Sequence, residues 1–423
     1  MNFLFIHQNF PGQFLHLVRH LAEDGGNRVI FISQPNANRI PNVELITYET
    51  YRSPAAGTHH YIRDLEQGVI AGQRVYEIAL TLRQQGFRPD IIIGHCGWGE
   101  TLYLKDVWAD VPVLGYFEFF YRSKGVDVDF DPTACLTVDD PPRVRTKNAI
   151  NHLSFDSSDW GLSPTRWQRS LYPHYMQERI SVIHEGVNTD LISPDDEAWL
   201  QLGNGRRLTP RDEVVTYVAR NLEPYRGFHM FMRALPEILK ARPDAEVLIV
   251  GGDGVSYGPR LASGESFRDA MLRELGDQLD LKRVHFLGVL SYEHYLNVLR
   301  ISSVHVYLTY PFVLSWSFIE AMSAGCALVA SSTTPVMEVI EDGVTGLLVD
   351  FFDVPGIARK VISVLEHPDR MQALRDRARH KAVTDYDLIR VTLPQQLELI
   401  SAVIDRHATG SLSVSELMPE SVG

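Results

Sequence analysis

The sequence predicts an α/β protein built from two doubly wound parallel-sheet domains. Three observations carry that prediction. Short, uninterrupted apolar runs alternate with amphipathic helical segments, the pattern of strands covered on both faces. The alternation stops near mid-chain, in a stretch rich in Asp, Gly, Pro and Arg, and then begins again. A chain of 423 residues also has room for two large domains or three small ones. With 22% charged and 45% hydrophobic residues, global disorder is excluded. The formal charge of −13, from 40 Lys and Arg against 53 Asp and Glu, argues against nucleic acid as a partner. A small anionic ligand needs only two or three placed cations. Three cysteines, Cys96, Cys135 and Cys326, make neither a disulfide framework nor a zinc site and point to a reducing cytoplasm.

The elements follow in order. In the first domain, residues 1–190, Phe3–His7 reads as a buried strand, followed by the loop Gln8 to Gly12 and an amphipathic helix from Gln13 to Ala22. Strands are expected at Arg28–Ser33 and Val43–Thr47, then a long polar helix from Tyr61 to Gln85. Further strands are Ile91–Gly94, Val111–Phe117, Trp160–Ser163 and Ile180–His184. Residues 191–212 read as a surface linker. The second domain, residues 213–385, opens with strand Val214–Val218, helix Phe228–Ala241 and strand Glu246–Gly251. Helix Phe267–Gln278, strand Val284–Leu287, helix Tyr292–Leu299 and strand Val304–Leu308 come next, then helix Ser317–Ala324, strand Ala327–Ser331 and helix Val336–Ile340. Residues 386–407 are expected as a helix crossing back to the first domain, and 408–423, small and polar, as a disordered tail. The most apolar stretch, Val304 to Met322, contains His305, Pro311 and Glu320 and so reads as strand, turn and helix instead of a membrane span. The N-terminus MNFLFIHQNF lacks the basic and long apolar regions of a signal peptide. Two such arrays are expected to face a cleft, with ligands at the carboxyl ends of the strands.

Chemistry concentrates at those ends. In the second domain, Val218-Ala219-Arg220-Asn221 closes the first strand and Tyr225-Arg226-Gly227 opens the next helix. Two guanidinium forks beside a helix N-terminus suit a pair of phosphates, unless both are ordinary surface arginines. In Thr309 to Cys326, a strand ends, a turn follows and a helix begins near Trp316 or Ser317, with Glu320 one turn in. A carboxylate there can chelate vicinal ribose hydroxyls, or it can simply favour the positive end of the helix.

Taken in order, these segments resemble the retaining glycosyltransferases of family 4. Ile183-His184-Glu185-Gly186-Val187-Asn188 resembles the family's N-G-V-D element, and Arg220 with Arg226 resembles its G-R…K-G pair, arginine replacing lysine. Gly251-Gly252-Asp253-Gly254 resembles its glycine loop, and Phe286-Leu287-Gly288-Val289 the segment that reads the base. Ile319-Glu320-Ala321-Met322 with Gly325 resembles the end of its E-x7-E motif, and Glu338, Asp342, Gly343, Gly346 and Leu348 continue the pattern.

The resemblance implies the GT-B fold, two Rossmann-like domains with C-terminal helices. It also implies an enzyme moving a sugar from a nucleotide diphosphate, UDP- or GDP-linked, to a hydroxyl acceptor with retention. By that resemblance Arg220 and Arg226 hold the diphosphate and Glu320 the ribose, these being the catalytic candidates. Gly12, Gly252, Leu287, Val289, Phe312, Ser315, Trp316 and Ser317 complete the donor site. Fixed cations and a helix end can carry the leaving charge, and no Asp-x-Asp pair stands in a metal-binding context, so neither metal nor cofactor is expected. One departure is plain: Phe312 stands where the family's first glutamate would contact the donor sugar. Either the sugar is held differently, stacked on Phe312 or Trp316, or the donor is unusual, or catalysis is lost, or Phe312 is core.

On the acceptor side, Gly94-His95-Cys96-Gly97-Trp98-Gly99-Glu100 places His95 and Trp98 in a glycine-rich loop. Gly115 to Arg122 sets Glu118 and Tyr121 among aromatics. Glu118 reads either as a base with a raised pKa, a further catalytic candidate, or as an i,i+4 partner of Arg122. His7 to Phe14 resembles a glycine loop in which Gly12 lets the backbone approach a phosphate. The acceptor class extends to a lipid-linked glycan, with Arg143, Arg145 and Lys147 as weak peripheral contacts at the inner membrane face, or else a solvated charged stretch. A nucleotide-sugar epimerase and a non-catalytic sugar-nucleotide binder are the alternatives.

Overall fold

The computed structural model describes residues 1–409. The expected tail lies outside the described residues except for positions 408 and 409, which end the last helix, Leu393–Thr409. The chain forms two compact units: Met1–Gly186 together with the segment from Leu388 onward, and Val187–Asp387.

Unit 1 holds a seven-stranded sheet of β1 (Asn2–Ile6), β2 (Arg28–Ser33), β3 (Val43–Thr47), β4 (Ile91–His95), β5 (Val113–Tyr116), β6 (Trp160–Ser163) and β7 (Ile180–Val182), ordered β3-β2-β1-β4-β5-β6-β7. Every pairing is parallel. The apolar strands are explained by their two buried faces. Phe3, Phe5, Val29, Phe31, Ile91 and Ile93 point to one layer, with Leu17 and Val18 of helix Leu15–Glu23 and Leu399, Ile400 and Val403 of the last helix. The alternate residues Leu4, Ile6, Ile30, Ile32 and Ile92 meet Val75, Ala79 and Leu82 of helix Arg63–Gln84 on the other side. That alternation is the period of two expected of a strand.

Unit 2 opens with a short antiparallel hairpin, β8 (Leu200–Gln201) and β9 (Arg207–Leu208). Its sheet contains β10 (Val214–Asn221), β11 (Glu246–Gly252), β12 (Val284–Gly288), β13 (Val304–Tyr307), β14 (Leu328–Ser331) and β15 (Leu347–Val349), in the order β12-β11-β10-β13-β14-β15. All its pairings are parallel. In both sheets the order reverses beside the first strand, giving switch points between β1 and β4 and between β10 and β13.

Two boundaries differ from the sequence reading. Residues 191–212 are not a linker: Leu200, Leu202 and Leu208 are buried with Val214, Leu248 and Ile301. Three leucines spaced among Gly, Asn and Arg are enough to seat a hairpin that composition alone reads as surface. The chain passes between units at Gly186 and Val187 and returns after Asp387. Strand β15 was not anticipated, because Leu347–Val349 is only 3 residues long.

Candidate functional site

At the unit 2 switch point, the two arginines expected to act as a pair occupy different surroundings. Arg220, at the end of β10, is exposed. Arg226 is only 5% exposed and closes a short 3-10 turn, Pro224–Arg226. Its Nη1 donates to Thr309 Oγ1 at 2.8 Å and to the Val313 carbonyl at 2.8 Å, tying β10 to the loop after β13. Gly227 turns the chain into helix Phe228–Ala241 with φ +70, and a Cβ there would collide with Leu308. Only glycine fits.

The glycine loop after β11 is held by two residues the sequence reading did not single out. Glu223, fully buried, accepts N–H bonds from Ser256 (2.9 Å), Tyr257 (3.1 Å) and Gly258 (3.0 Å). Asn221 donates to Ser256 Oγ at 2.7 Å, and a Cβ on Gly252 would stand 2.8 Å from Asn221 Oδ1. A side chain at Gly252 would therefore have to displace the Asn221 amide from its place beside Ser256. At the end of β12, Leu287 is half-buried and Val289 is 80% exposed, beside Gly252.

Helix Trp316–Ser323 follows β13. Ser315 makes no side-chain cap bond; its own N–H donates to Tyr307 Oη at 2.9 Å. Trp316 and Ser317 are half-buried in the first turn, where the amides lie beyond intrahelical reach. Glu320 is 8% exposed, and its carboxylate accepts from Tyr292 Oη at 2.9 Å and Tyr295 Oη at 2.5 Å, both on helix Tyr292–Arg300. Burial pushes the Glu320 pKa up, and the two phenol donors oppose that rise. The tyrosines lie at i and i+3 on one helix face, a spacing visible in the sequence once a carboxylate partner is sought.

Phe312 is neither a solvent ring nor a core residue. It meets Tyr225 edge-on at 5.7 Å and Tyr257 at 5.1 Å. Tyr225 stacks on Tyr310 at 4.7 Å, and the Arg226 guanidinium lies 5.0 Å from the Tyr257 ring.

In unit 1 the residues after β1, β4 and β5 converge. His7 Nδ1 accepts the Asn9 N–H at 2.8 Å, so a neutral ring carries its proton on Nε2, facing Gln13 Oε1 at 2.6 Å. Gln13 in turn donates to Glu118 Oε1 at 2.5 Å. His95 repeats the device: Nδ1 accepts the Gly97 N–H at 3.0 Å, and Nε2 faces Glu118 Oε2 at 3.3 Å. The His95 ring stacks on Trp98 at 3.8 Å. Glu118 therefore has polar donors and not the apolar pocket expected. The helical pairing with Arg122 has no helix to sit on, since residues 117–120 are irregular and Arg122 donates to the Leu171 carbonyl. Tyr121 belongs to other contacts, with Lys147 Nζ 4.0 Å from its ring centre. Gly12 has φ +55, and a Cβ there would lie 2.5 Å from the His7 ring, so His7 itself demands the glycine.

Residues 25–192 match the family model described as glycosyl transferase family 4 group, and residues 205–381 match glycosyl transferases group 1. The chain belongs to the family 4 type of glycosyltransferases. A D-inositol 3-phosphate glycosyltransferase of Mycobacterium sp. (strain JLS) is 32% identical over 188 residues, 44% of this chain and 39% of that protein. One of the same name from Streptomyces scabiei is 28% identical over 287 residues, 65% of this chain and 58% of that protein. The chain thus spans less than two thirds of the length of these relatives. Among solved structures, sucrose-phosphate synthase from Thermosynechococcus elongatus superposes with TM-score 0.73 at 16% identity, over 96% of this chain and 99% of that one. Anabaena HepE in complex with UDP-glucose gives 0.64 at 18% identity, over 95% of this chain and 100% of that one. The fold is GT-B. Among the described residues no helix is long and apolar enough to cross a membrane.

Proposed function

We propose that the protein transfers a sugar from a UDP-sugar to a hydroxyl acceptor with retention and without a metal ion. The observation that carries this reading is the arrangement around helix Trp316–Ser323: a buried carboxylate, Glu320, one turn behind an uncapped N-terminus, with Arg226 anchoring the preceding loop. A ribose diol bound to Glu320 would exchange with the Tyr292 hydroxyl, the more exposed of its two donors. The diphosphate would then lie at the first-turn amides, where the helix dipole favours negative charge. Arg220, exposed at the end of β10, would swing onto it. As the bond from the anomeric carbon to the phosphate oxygen breaks, charge grows on the diphosphate, where fixed donors stabilise it. The acceptor oxygen bonds to the same face of that carbon, and its proton passes to the departing phosphate oxygen. In unit 1, Glu118, His95 and Trp98 would orient the acceptor. The UDP complexes of Anabaena HepE favour uridine over guanosine. We place the reaction in the cytoplasm, at the inner membrane face where the acceptor is lipid-linked.

Titration calorimetry with UDP and GDP, followed by transfer assays with EDTA present, tests the reading. UDP should bind more tightly and turnover should survive chelation. Failure of every nucleoside diphosphate to bind would remove it. A second reading, a sugar-nucleotide binder without turnover, is favoured by the aromatic packing of Phe312; tight UDP-sugar binding with neither transfer nor hydrolysis would select it.

A further inference from the structure

We infer that Tyr292 stands in for a ribose hydroxyl: it satisfies Glu320 while the site is empty, yields to the nucleotide, and by returning sets the rate at which the spent nucleoside diphosphate leaves. This rests on the donor reading above. Glu320 is 8% exposed, and a buried carboxylate stripped of its donors is penalised by more than a paired one gains. A buried group that accepts from a ligand therefore needs another donor whenever the ligand is away. Glu320 has two such donors, Tyr292 Oη at 2.9 Å from Oε1 and Tyr295 Oη at 2.5 Å from Oε2.

The two phenols are not equivalent. Tyr295 is half-buried and packs against the cluster that contains Phe318, Ile319 and Ala321. Burial and the facing carboxylate push its phenol pKa up, so it keeps its proton and stays a donor. Tyr292 is 50% exposed, opens helix Tyr292–Arg300, and follows the exposed residues Val289 and Ser291. A change of side-chain rotamer carries the Tyr292 hydroxyl into solvent without uncovering core. The same change at Tyr295 would pull its ring out of the cluster.

Exchange at Tyr292 replaces one hydroxyl donor by another on the same oxygen, so Glu320 stays satisfied in both states. The displaced phenol is tethered beside the site, and its return expels the ribose from within. Tyr295 is then a positioning residue, holding the carboxylate through Oε2 whether or not a nucleotide is bound.

Stopped-flow and calorimetric titrations of the full chain with UDP and with 2′,3′-dideoxy-UDP test this. Tyr292→Phe should slow UDP dissociation about tenfold and tighten its Kd by the same factor, with association unchanged. Dideoxy-UDP has no ribose hydroxyl to offer Glu320, so it should bind the natural chain and Tyr292→Phe equally. Tyr295→Phe should weaken UDP about tenfold and leave dideoxy-UDP alone, whereas a merely structural disturbance moves both ligands alike. Unchanged or faster release of UDP from Tyr292→Phe overturns the inference, as does tighter binding of both nucleotides. Tighter UDP binding by Tyr295→Phe, or equal weakening of the two nucleotides, overturns the division between the phenols. Should Tyr295→Phe fail to fold, Tyr292→Phe decides the matter, since half of Tyr292 already lies in solvent. If neither UDP nor GDP binds the natural chain, it is the donor reading that fails, and this inference with it.

Discussion

Arg220 and Arg226 differ in what each would lose on truncation. Arg220 faces solvent, so Arg220→Ala should leave the melting temperature unchanged while weakening UDP by about 1.5–3 kcal/mol, the scale of hydrogen bonds to a charged group. Arg226→Ala removes a buried guanidinium and strands Thr309 and the Val313 carbonyl. It should cost roughly 2–4 kcal/mol of stability, lowering the melting temperature by on the order of 5–15 °C. Equal melting of both variants would contradict the burial difference. Glu320→Gln, which preserves shape, should weaken UDP about tenfold by calorimetry. A separate effect belongs to His305, fully buried on β13 with its pKa pushed down from 6.5 to about 4 by burial. Its neutral form is the folded one. As pH falls through 6.5 the unfolded chain takes up the proton and the folded chain does not, so stability is lost down to about pH 4, by about 3 kcal/mol. In His305→Val, urea midpoints at pH 5 and pH 7 should lie closer together than in the natural chain.

At the scale of elements, the loop after β11 depends on Glu223. Glu223→Gln keeps one acceptor oxygen but loses the charge, so amide exchange at Ser256, Tyr257 and Gly258 should quicken while the sheet amides stay protected. This residue shows where legibility ends. Strands were readable because a run such as Ile91-Ile92-Ile93 must be covered on both sides, and the helix at Trp316 because a turn and a packing face bracket it. Arg226 and Glu320 could be named from their positions after a strand and inside a helix. Glu223, Tyr292 and Tyr295 could not, since their partners lie 25 or more residues away; even the i, i+3 spacing of the tyrosines says nothing of Glu320 until that partner is known. His7 and Gln13 read only as parts of a glycine loop because Glu118, to which Gln13 donates, follows 105 residues after Gln13. The hairpin of β8 and β9 was missed for the opposite reason, its leucines being too few to outweigh their polar neighbours.

For the whole molecule, the two units make different demands on chain continuity. Unit 1 draws Leu399, Ile400 and Val403 from the far end of the chain into the layer that holds Phe3 and Phe5. Removing residues from 388 onward should abolish the calorimetric transition of unit 1, and Leu399→Ala alone should cost about 2–5 kcal/mol. Residues 187–387 are contiguous and contain both faces of their sheet. That fragment should melt cooperatively by itself and retain UDP binding; a broad, non-cooperative melt would show that it needs unit 1.

The two ends of that fragment are neighbours. Val187 bridges Asp387 in parallel, its N–H donates to the Tyr386 carbonyl at 2.9 Å, and Thr189 bonds the Asp387 carboxylate. Entry and exit thus form a clasp. A segment whose termini are already fastened side by side can be lifted out as a cassette and exchanged for that of a relative with only two splice points to match, so gene shuffling can test directly whether the proposed donor preference travels with it.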